Sequence, residues 1–401
     1  MVARFAHKVD FLNGASGPMV PIPNFPPELP LPSPAAGQRD RFAAAYSVLE
    51  RAIAAEGFPG AAFAVLQGAE IVALDGIGRF TYDVRSSAVT RSTVYDLASL
   101  TKVLATTSMA MLLNQRGALD LDLPIAHWIP GFAPRDASES ARQRVTVRTL
   151  LAHCSGLPGY ARLFEQYPDR EALIQACTRL PLQAEPGARA EYSDPGFILL
   201  GEILARIAGE PLDRFCAREV FAPLGMTSTR FRPSTTWVSS IPPTEEDRNL
   251  RHRVLQGEVQ DENCFVMGGV SGHAGLFSNA LDPILFARCF LEDGRLSGGS
   301  QLFEPSTIRL FTTRAGLPPA SSRALGWDTP SPPSSSGNFF STRSAGHLGY
   351  SGTSLWIDFD RRLAVALLTN RTWPHRESGA IREVRPAFHD AVASALAEPA
   401  S

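Results

Sequence analysis

Between positions 39 and 56, apolar and polar residues follow the period of an amphipathic helix, and Gly57 with Pro59 closes it. Two short apolar runs come next, 61–66 and 71–74. The turn Gln67-Gly68-Ala69-Glu70 joins them, which predicts a β-hairpin. A long apolar helix is predicted from about Ser99 to Arg116, stopped by Gly117 in the position that favours a left-handed residue. From there to about residue 230 the pattern is mostly helical. The predicted helices cover 146–153, 168–180, 197–208 and 211–221, the third ended by Gly209 and the fourth leading into Pro223-Leu224-Gly225-Met226. A helix over 281–292 precedes a Ser-, Pro- and Gly-rich loop at 329–338. Two β-rich runs, 351–358 and 363–368, and a helix over 384–396 complete the chain. No internal repeat interrupts this order.

Strands therefore lie near both ends of the sequence, with helices between. The economical assembly is an α/β (α+β) fold. One antiparallel sheet takes both strand pairs, the first and last helices cover it, and the middle of the chain forms a mostly helical second lobe. This assigns an α/β lobe to about 39–98 and 260–401 and a helical lobe to about 99–259. A cleft between lobes is a usual place for a small-molecule site.

Composition narrows the reading. The chain has 401 residues, 44% of them hydrophobic, and a formal net charge of −2, so it has ample material for a core. The near-neutral balance argues against a nucleic-acid binder. No apolar run reaches the ~18 residues of a membrane-spanning helix. Residues 1–38 read as an extended tail, with eight prolines between Pro18 and Pro34. They hold no signal-peptide core, so the chain as written reads as cytoplasmic. A start codon further upstream would leave room for an export signal and a periplasmic or extracellular location. Cys154, Cys177, Cys216, Cys264 and Cys289 are odd in number and include no C-x-x-C pair, so they read as buried free thiols.

The lysines change the picture more than the charge does. Of 38 basic Lys and Arg residues only Lys8, in the tail, and Lys102 are lysine. Arginine does not give up its proton at useful pH, whereas a lysine removed from water can. Lys102 opens an apolar helix three residues after Ser99, so both side chains share one face. Ser99 stands at the helix start, where unpaired N–H groups favour negative charge. Burial is expected to lower the Lys102 pKa and so make it a neutral base for an activated serine.

Two further motifs follow in order. Tyr192-Ser193-Asp194 precedes an apolar helix, and Gly346-His347-Leu348-Gly349-Tyr350-Ser351-Gly352-Thr353 lies on a predicted strand and its turn. Together with Ser99-x-x-Lys102, these resemble the serine β-lactamase and penicillin-binding-protein superfamily, and within it the class C β-lactamase-like branch that includes esterases and D-amino-acid peptidases. The likeness covers roughly residues 40–397. It extends to Leu150-Leu151-Ala152-His153-Cys154-Ser155-Gly156-Leu157-Pro158, to Pro223-Leu224-Gly225-Met226, and to the stretch from Gly268 to Ser278. The resemblance implies that Ser99 is acylated, that Lys102 takes its proton, and that Tyr192 relays protons to the leaving group and later helps activate water. The backbone N–H groups of Ser99 and Tyr350 would form the oxyanion hole, and His347-Leu348-Gly349 would line the sheet edge of the cleft.

Two positions depart from the pattern. Many relatives have asparagine where this chain has Asp194, and the third motif often opens with lysine where this chain has His347. Both changes reduce positive character where β-lactamases hold a substrate carboxylate, so the expectation is a preference for short-chain esters over β-lactams. Other candidates are weaker: Asp261 for a substrate amine, Arg343 for a substrate carboxylate. His153 and His273 read as structural. No metal-ligand spacing, phosphate loop, G-x-G-x-x-G or G-x-S-x-G is present, so no cofactor is expected. The sequence thus indicates a serine hydrolase that forms an acyl-enzyme on an ester or on a peptide or amide bond of a small molecule or peptide. A class C-like β-lactamase and a penicillin-binding sensor without turnover are the alternatives.

Overall fold

The computed structural model describes residues 37–397. The expected tail lies outside the described residues but for Gly37 and Gln38, which open the first helical turn, Gln38–Arg41. In chain order the strands are β1 (Gly60–Gln67), β2 (Glu70–Gly78), β3 (Tyr95–Asp96), β4 (Arg230–Phe231), β5 (Glu245–Asp247), β6 (Arg253–Leu255), β7 (Leu276–Ser278), β8 (Ser344–Leu348), β9 (Ser354–Asp358) and β10 (Leu363–Thr369). Five make one antiparallel sheet in the order β2-β1-β10-β9-β8, so the first and last strand groups do share a sheet.

The interior strand β1 is buried on both faces, which is why it reads as a continuous apolar run rather than an alternation. Its period of two is still visible in what each side chain touches. Ala62, Ala64 and Leu66 enter the core shared with the Lys102 helix. Ala61, Phe63 and Val65 enter a second core beneath the helices Ala43–Ala54 and Ile381–Ala397. In that second core the Phe63 ring meets Tyr46 and Phe388 edge-on, with both centroids 5.3 Å away.

The middle of the chain is mostly helical, as the pattern predicts, but it also holds short strands. β3 and β4 flank β7 in a small sheet, and β5 pairs with β6. That small sheet joins strands from both sides of the lobe boundaries expected near 98 and 260. The predicted helix 99–116 is three segments: a 3₁₀ turn Ala98–Leu100, a wide π-helical stretch Lys102–Thr107, and an α-helix Ser108–Gln115. Within the wide stretch, Thr106 donates to the Gly272 carbonyl (2.7 Å), so the segment is tied to a neighbouring loop. All five cysteines are buried free thiols. No helix among the described residues is long and apolar enough to cross a membrane.

Candidate active site

Ser99 is raised on a strained turn. Ala98, the residue before it, has φ 47°, a left-handed conformation unusual for alanine. The Asp96 carboxylate accepts the Ala98 N–H (2.8 Å) and the Gln260 N–H (2.7 Å), and Thr101 Oγ1 donates to the Ala98 carbonyl (2.6 Å). Burial pushes Asp96 up to about 6 against those two N–H donors.

Lys102 is fully buried one turn on. Its Nζ lies 3.0 Å from Ser99 Oγ, 2.7 Å from Asp194 Oδ1 and 3.0 Å from the His273 carbonyl oxygen. The last contact depends on glycine. A Cβ at Gly272 would stand 2.1 Å from the Phe197 carbonyl, and one at Gly201 2.8 Å from Gly272 Cα, so only glycines let this loop approach the helix Asp194–Ala208. The sequence-based expectation of a lowered lysine pKa is reversed. Burial lowers it, but the Asp194 carboxylate and then Tyr192 raise it further, and the net shift is upward. The assignment of Asp194 as a bare carboxylate facing the substrate changes for the same reason: its charge is compensated by the Lys102 ammonium.

Tyr192 stands over this pair, its ring centroid 4.7 Å from Nζ. Its buried hydroxyl makes no well-formed hydrogen bond, and burial raises its pKa against the pull of Lys102. His153 holds the segment in place. Its ring lies 4.6 Å from the Tyr192 ring and stacks on Phe197, and its Nδ1 accepts the Ser193 N–H (3.0 Å). His347, on β8, donates from Nδ1 to the Leu348 carbonyl (2.8 Å), which leaves Nε2 as an unpaired acceptor facing inward. Burial, then Lys102 and Arg323, hold its pKa well below the usual value, so it is neutral.

Two cavities share Ser99, Tyr192, Tyr350 and Arg376 as walls. One, about 480 Å³, is lined by Tyr160, Asp194, Asp261, Glu262 and His273. The other, about 400 Å³, is lined by His347, Gly349, Arg323, Arg371, Arg382 and Arg385. Arg376 is neutralised by Glu245 and Glu262. Arg385 and Arg371 are not paired in this way. Arg385 is buried and donates to the carbonyls of Gly349 (2.7 Å) and Thr353 (2.8 Å), with its Nε unpartnered. Burial and then Arg371 pull its pKa down to about 9. Arg371 likewise spends its donors on carbonyls, of Tyr350, Arg376 and Ser378. The second cavity also has Asp328 and Glu377 in its wall, but arginines outnumber them, so its excess positive charge comes from arginines rather than from the third motif.

The remaining candidates fall in different places. Arg343 lines neither cavity; it is exposed and pairs with Asp360 (2.9 Å), which removes it from carboxylate recognition. Asp261 does line the first cavity, but its Oδ1 caps the helix Glu262–Val266 through the Cys264 N–H (2.7 Å) and accepts from His273 Nε2 (2.8 Å). Burial raises its pKa, but His273 and that N–H outweigh it and bring it to about 2. Gly349 serves close packing: a Cβ there would meet Thr353 Oγ1 at 2.0 Å and the Leu97 carbonyl at 2.5 Å, so the turn bearing Tyr350 lies against the turn bearing Ser99. Arg371 and Arg385 were not foreseen. Arg385 had a readable signal, since it occupies the apolar stripe Ile381, Val384, Phe388, Val392 of the last helix. Arg371 had none. Among the described residues no His, Cys, Asp and Glu cluster is placed to hold a metal ion.

Known proteins share the sequence pattern and the fold of this chain. Residues 47–387 match the family model described as Beta-lactamase. The chain is 33% identical over 358 residues to the N-acetylmuramyl-L-alanine amidase of Bacillus subtilis strain 168, covering 81% of this chain and 79% of that protein. It is 35% identical over 317 residues to an Escherichia coli K12 protein provisionally named a D-alanyl-D-alanine carboxypeptidase, covering 71% and 70%. Among solved structures it resembles EstCE1, a hydrolase with promiscuous acyltransferase activity, at TM-score 0.71 and 21% identity, covering 90% of this chain and 100% of that one. A family model that spans most of the chain, together with relatives of this identity and coverage, leads to one conclusion: the chain is a serine hydrolase and belongs to the β-lactamase family.

Proposed function

We propose that this hydrolase cleaves the amide or ester bond that joins an acyl carbonyl to a leaving group ending in a free carboxylate, as at the end of a D-amino-acid peptide. Ser99 is the nucleophile and passes its proton toward Lys102 and Tyr192. The N–H groups of Ser99 and Tyr350 hold the oxyanion. Tyr192 returns a proton to the leaving group. The carbonyl sits over Ser99, and the carboxylate lies in the arginine-lined cavity.

The observation that carries this reading is the pair Arg371 and Arg385: two buried guanidiniums whose hydrogen bonds go to carbonyl oxygens and which have no carboxylate ion pair among the described residues, in the wall of a cavity that reaches Ser99. Such charges favour an anion in that space. The expected preference for uncharged esters loses its electrostatic basis here. His347 is neutral, but the arginines supply the missing cation and Asp194 is already paired. The provisional carboxypeptidase name of the Escherichia coli relative supports the same substrate class.

The test compares kcat/KM for an acyl-D-alanyl-D-alanine peptide with that for its C-terminal amide. A charge-assisted hydrogen bond contributes about 1.5–3 kcal/mol, so the free acid is expected to be better by roughly 10- to 100-fold. Equal rates would remove the carboxylate from the reading. A β-lactam also carries a carboxylate, which keeps β-lactam hydrolysis as a second reading. Turnover of nitrocefin faster than of the peptide would favour it. An acyl-enzyme seen by intact mass that does not turn over would favour a sensor.

A further inference from the structure

The residue two places after Tyr192 is a carboxylate in this chain, and its oxygen lies 2.7 Å from the lysine nitrogen that also touches Ser99. We propose that Lys102 and Asp194 act as one base, with Asp194 holding the extra proton while Ser99 attacks. This rests on the reading of Ser99 as the nucleophile.

The argument starts from donor counting. An ammonium has three N–H donors and no lone pair. The three contacts of Nζ, to Ser99 Oγ, Asp194 Oδ1 and the His273 carbonyl, use all three. In that state Lys102 cannot accept a proton from Ser99. Asp194 offers a short route out. Transfer of one ammonium proton to its carboxylate leaves an amine and a carboxylic acid, with no net charge moved out of the buried site. Rotation about Cε–Nζ exchanges the three contacts and turns the new lone pair to Ser99, while the two remaining N–H groups keep Asp194 and the His273 carbonyl as acceptors.

The balance then closes. Ser99 Oγ forms a bond to the substrate carbonyl carbon as its proton moves to the amine. The pair now carries one proton more than at rest, an ammonium beside a carboxylic acid, and the substrate oxygen carries the negative charge. On collapse the carbonyl re-forms and the bond to the leaving group breaks. That group departs with the extra proton, by way of Tyr192 or Lys102, and the pair returns to ammonium and carboxylate. Deacylation repeats the cycle with water in place of Ser99. An asparagine at position 194 cannot take this proton.

The surroundings leave the pair free to set the pH dependence. From the helix ending before it and from β8, His153 and His347 are held neutral by burial. From the facing loop, Asp261 is held at about 2. Tyr160 and Tyr192 are raised by burial, and Arg323 stays over the Tyr192 ring. His273 also faces the pair, its ring bonded to Asp261 and Ser271.

The test is the pH profile of kcat/KM for p-nitrophenyl acetate, whose leaving group needs no proton, on the full chain and on Asp194→Asn and Asp194→Glu. If the pair is the base, the ammonium–carboxylate form is competent, and activity fails on the acid side only when the carboxylate is protonated. In Asp194→Asn the lysine must itself be neutral, so the acidic limb moves up by at least about one pH unit. Asp194→Glu keeps a carboxylate and leaves the limb near its original position at a reduced rate. If neutral lysine alone is the base and Asp194 merely raises its pKa, Asp194→Asn moves the limb the other way, to lower pH. Downward movement or none overturns the proposal, as does a Glu variant that behaves like Asn. Melting curves of each variant show whether it is folded. Failure of the reading it rests on looks different: Ser99→Ala would then keep its esterase activity and its fluorophosphonate adduct.

Discussion

At the scale of single residues, Lys102 is the position where chemistry and burial meet. Its side chain is fully enclosed, yet three acceptors surround its nitrogen. Lys102→Arg keeps the charge and the pairing with Asp194 but cannot pass a proton. It is expected to lower acylation at least ~10²-fold, as loss of a general base does, and to be about as damaging as Lys102→Ala. Stopped-flow acylation with a chromogenic ester measures this. Near-native acylation by the arginine variant would make Lys102 an electrostatic group only. The sequence made Ser99 and Lys102 legible because residues three apart share a helix face, and it made Tyr192 a candidate only through the family resemblance of its motif. It left the role of Asp194 hidden, because its partner lies 92 positions earlier and only the tertiary fold brings them together.

Among elements, long periodic segments were readable and short ones were not. The strands β1 and β10 and the helices Ala43–Ala54, Asp194–Ala208 and Leu281–Leu291 follow the hydrophobic pattern closely. Strands β3 and β4 have two residues each, too few for an alternation to register. The π-helical stretch after Lys102 also escaped, since its wider turn answers to the Gly272 loop rather than to local propensity. The last helix carries a pH-sensitive element of stability. His389 is buried, donates from Nδ1 to the Ser335 carbonyl, and has its pKa brought down to about 4 by burial. The unfolded chain takes up a proton near the ordinary value of about 6.5, so stability falls as pH drops from there through 4. The full effect is up to about 3 kcal/mol. His389→Gln keeps a donor and does not titrate. Urea unfolding at pH 7 and pH 4.5 should show the variant losing less stability than the parent on acidification. Equal losses would show that His389 does not titrate in that window.

For the whole molecule, both sides of the cleft depend on the order of strands. β8 and the turn after it bring His347 and Tyr350 to Ser99, and the helix Ile381–Ala397 brings Arg385 beneath the same turn. The end of the chain therefore completes both the core and the site. A chain stopped at residue 360 lacks β10 and that helix, and so leaves β1 without a partner on one edge and Phe63 without Phe388. It is expected to partition into the insoluble fraction under conditions where the full chain stays in solution. Fractionation followed by gel analysis checks this, and a soluble, folded fragment would contradict it.

The pairing of Ala61 with Thr369 sets a timetable for biosynthesis. A ribosome adds roughly 5–20 residues per second. Once the β1–β2 hairpin has been made, it waits roughly 15–60 s for the strand that covers its open side. Throughout that interval the run Ala61-Ala62-Phe63-Ala64-Val65-Leu66 has an apolar, uncharged edge, the kind that recruits other nascent chains. Yield in the cell is then governed by how well that edge is shielded during translation, by holdase chaperones or by slow expression in the cold, and less by how stable the finished enzyme is.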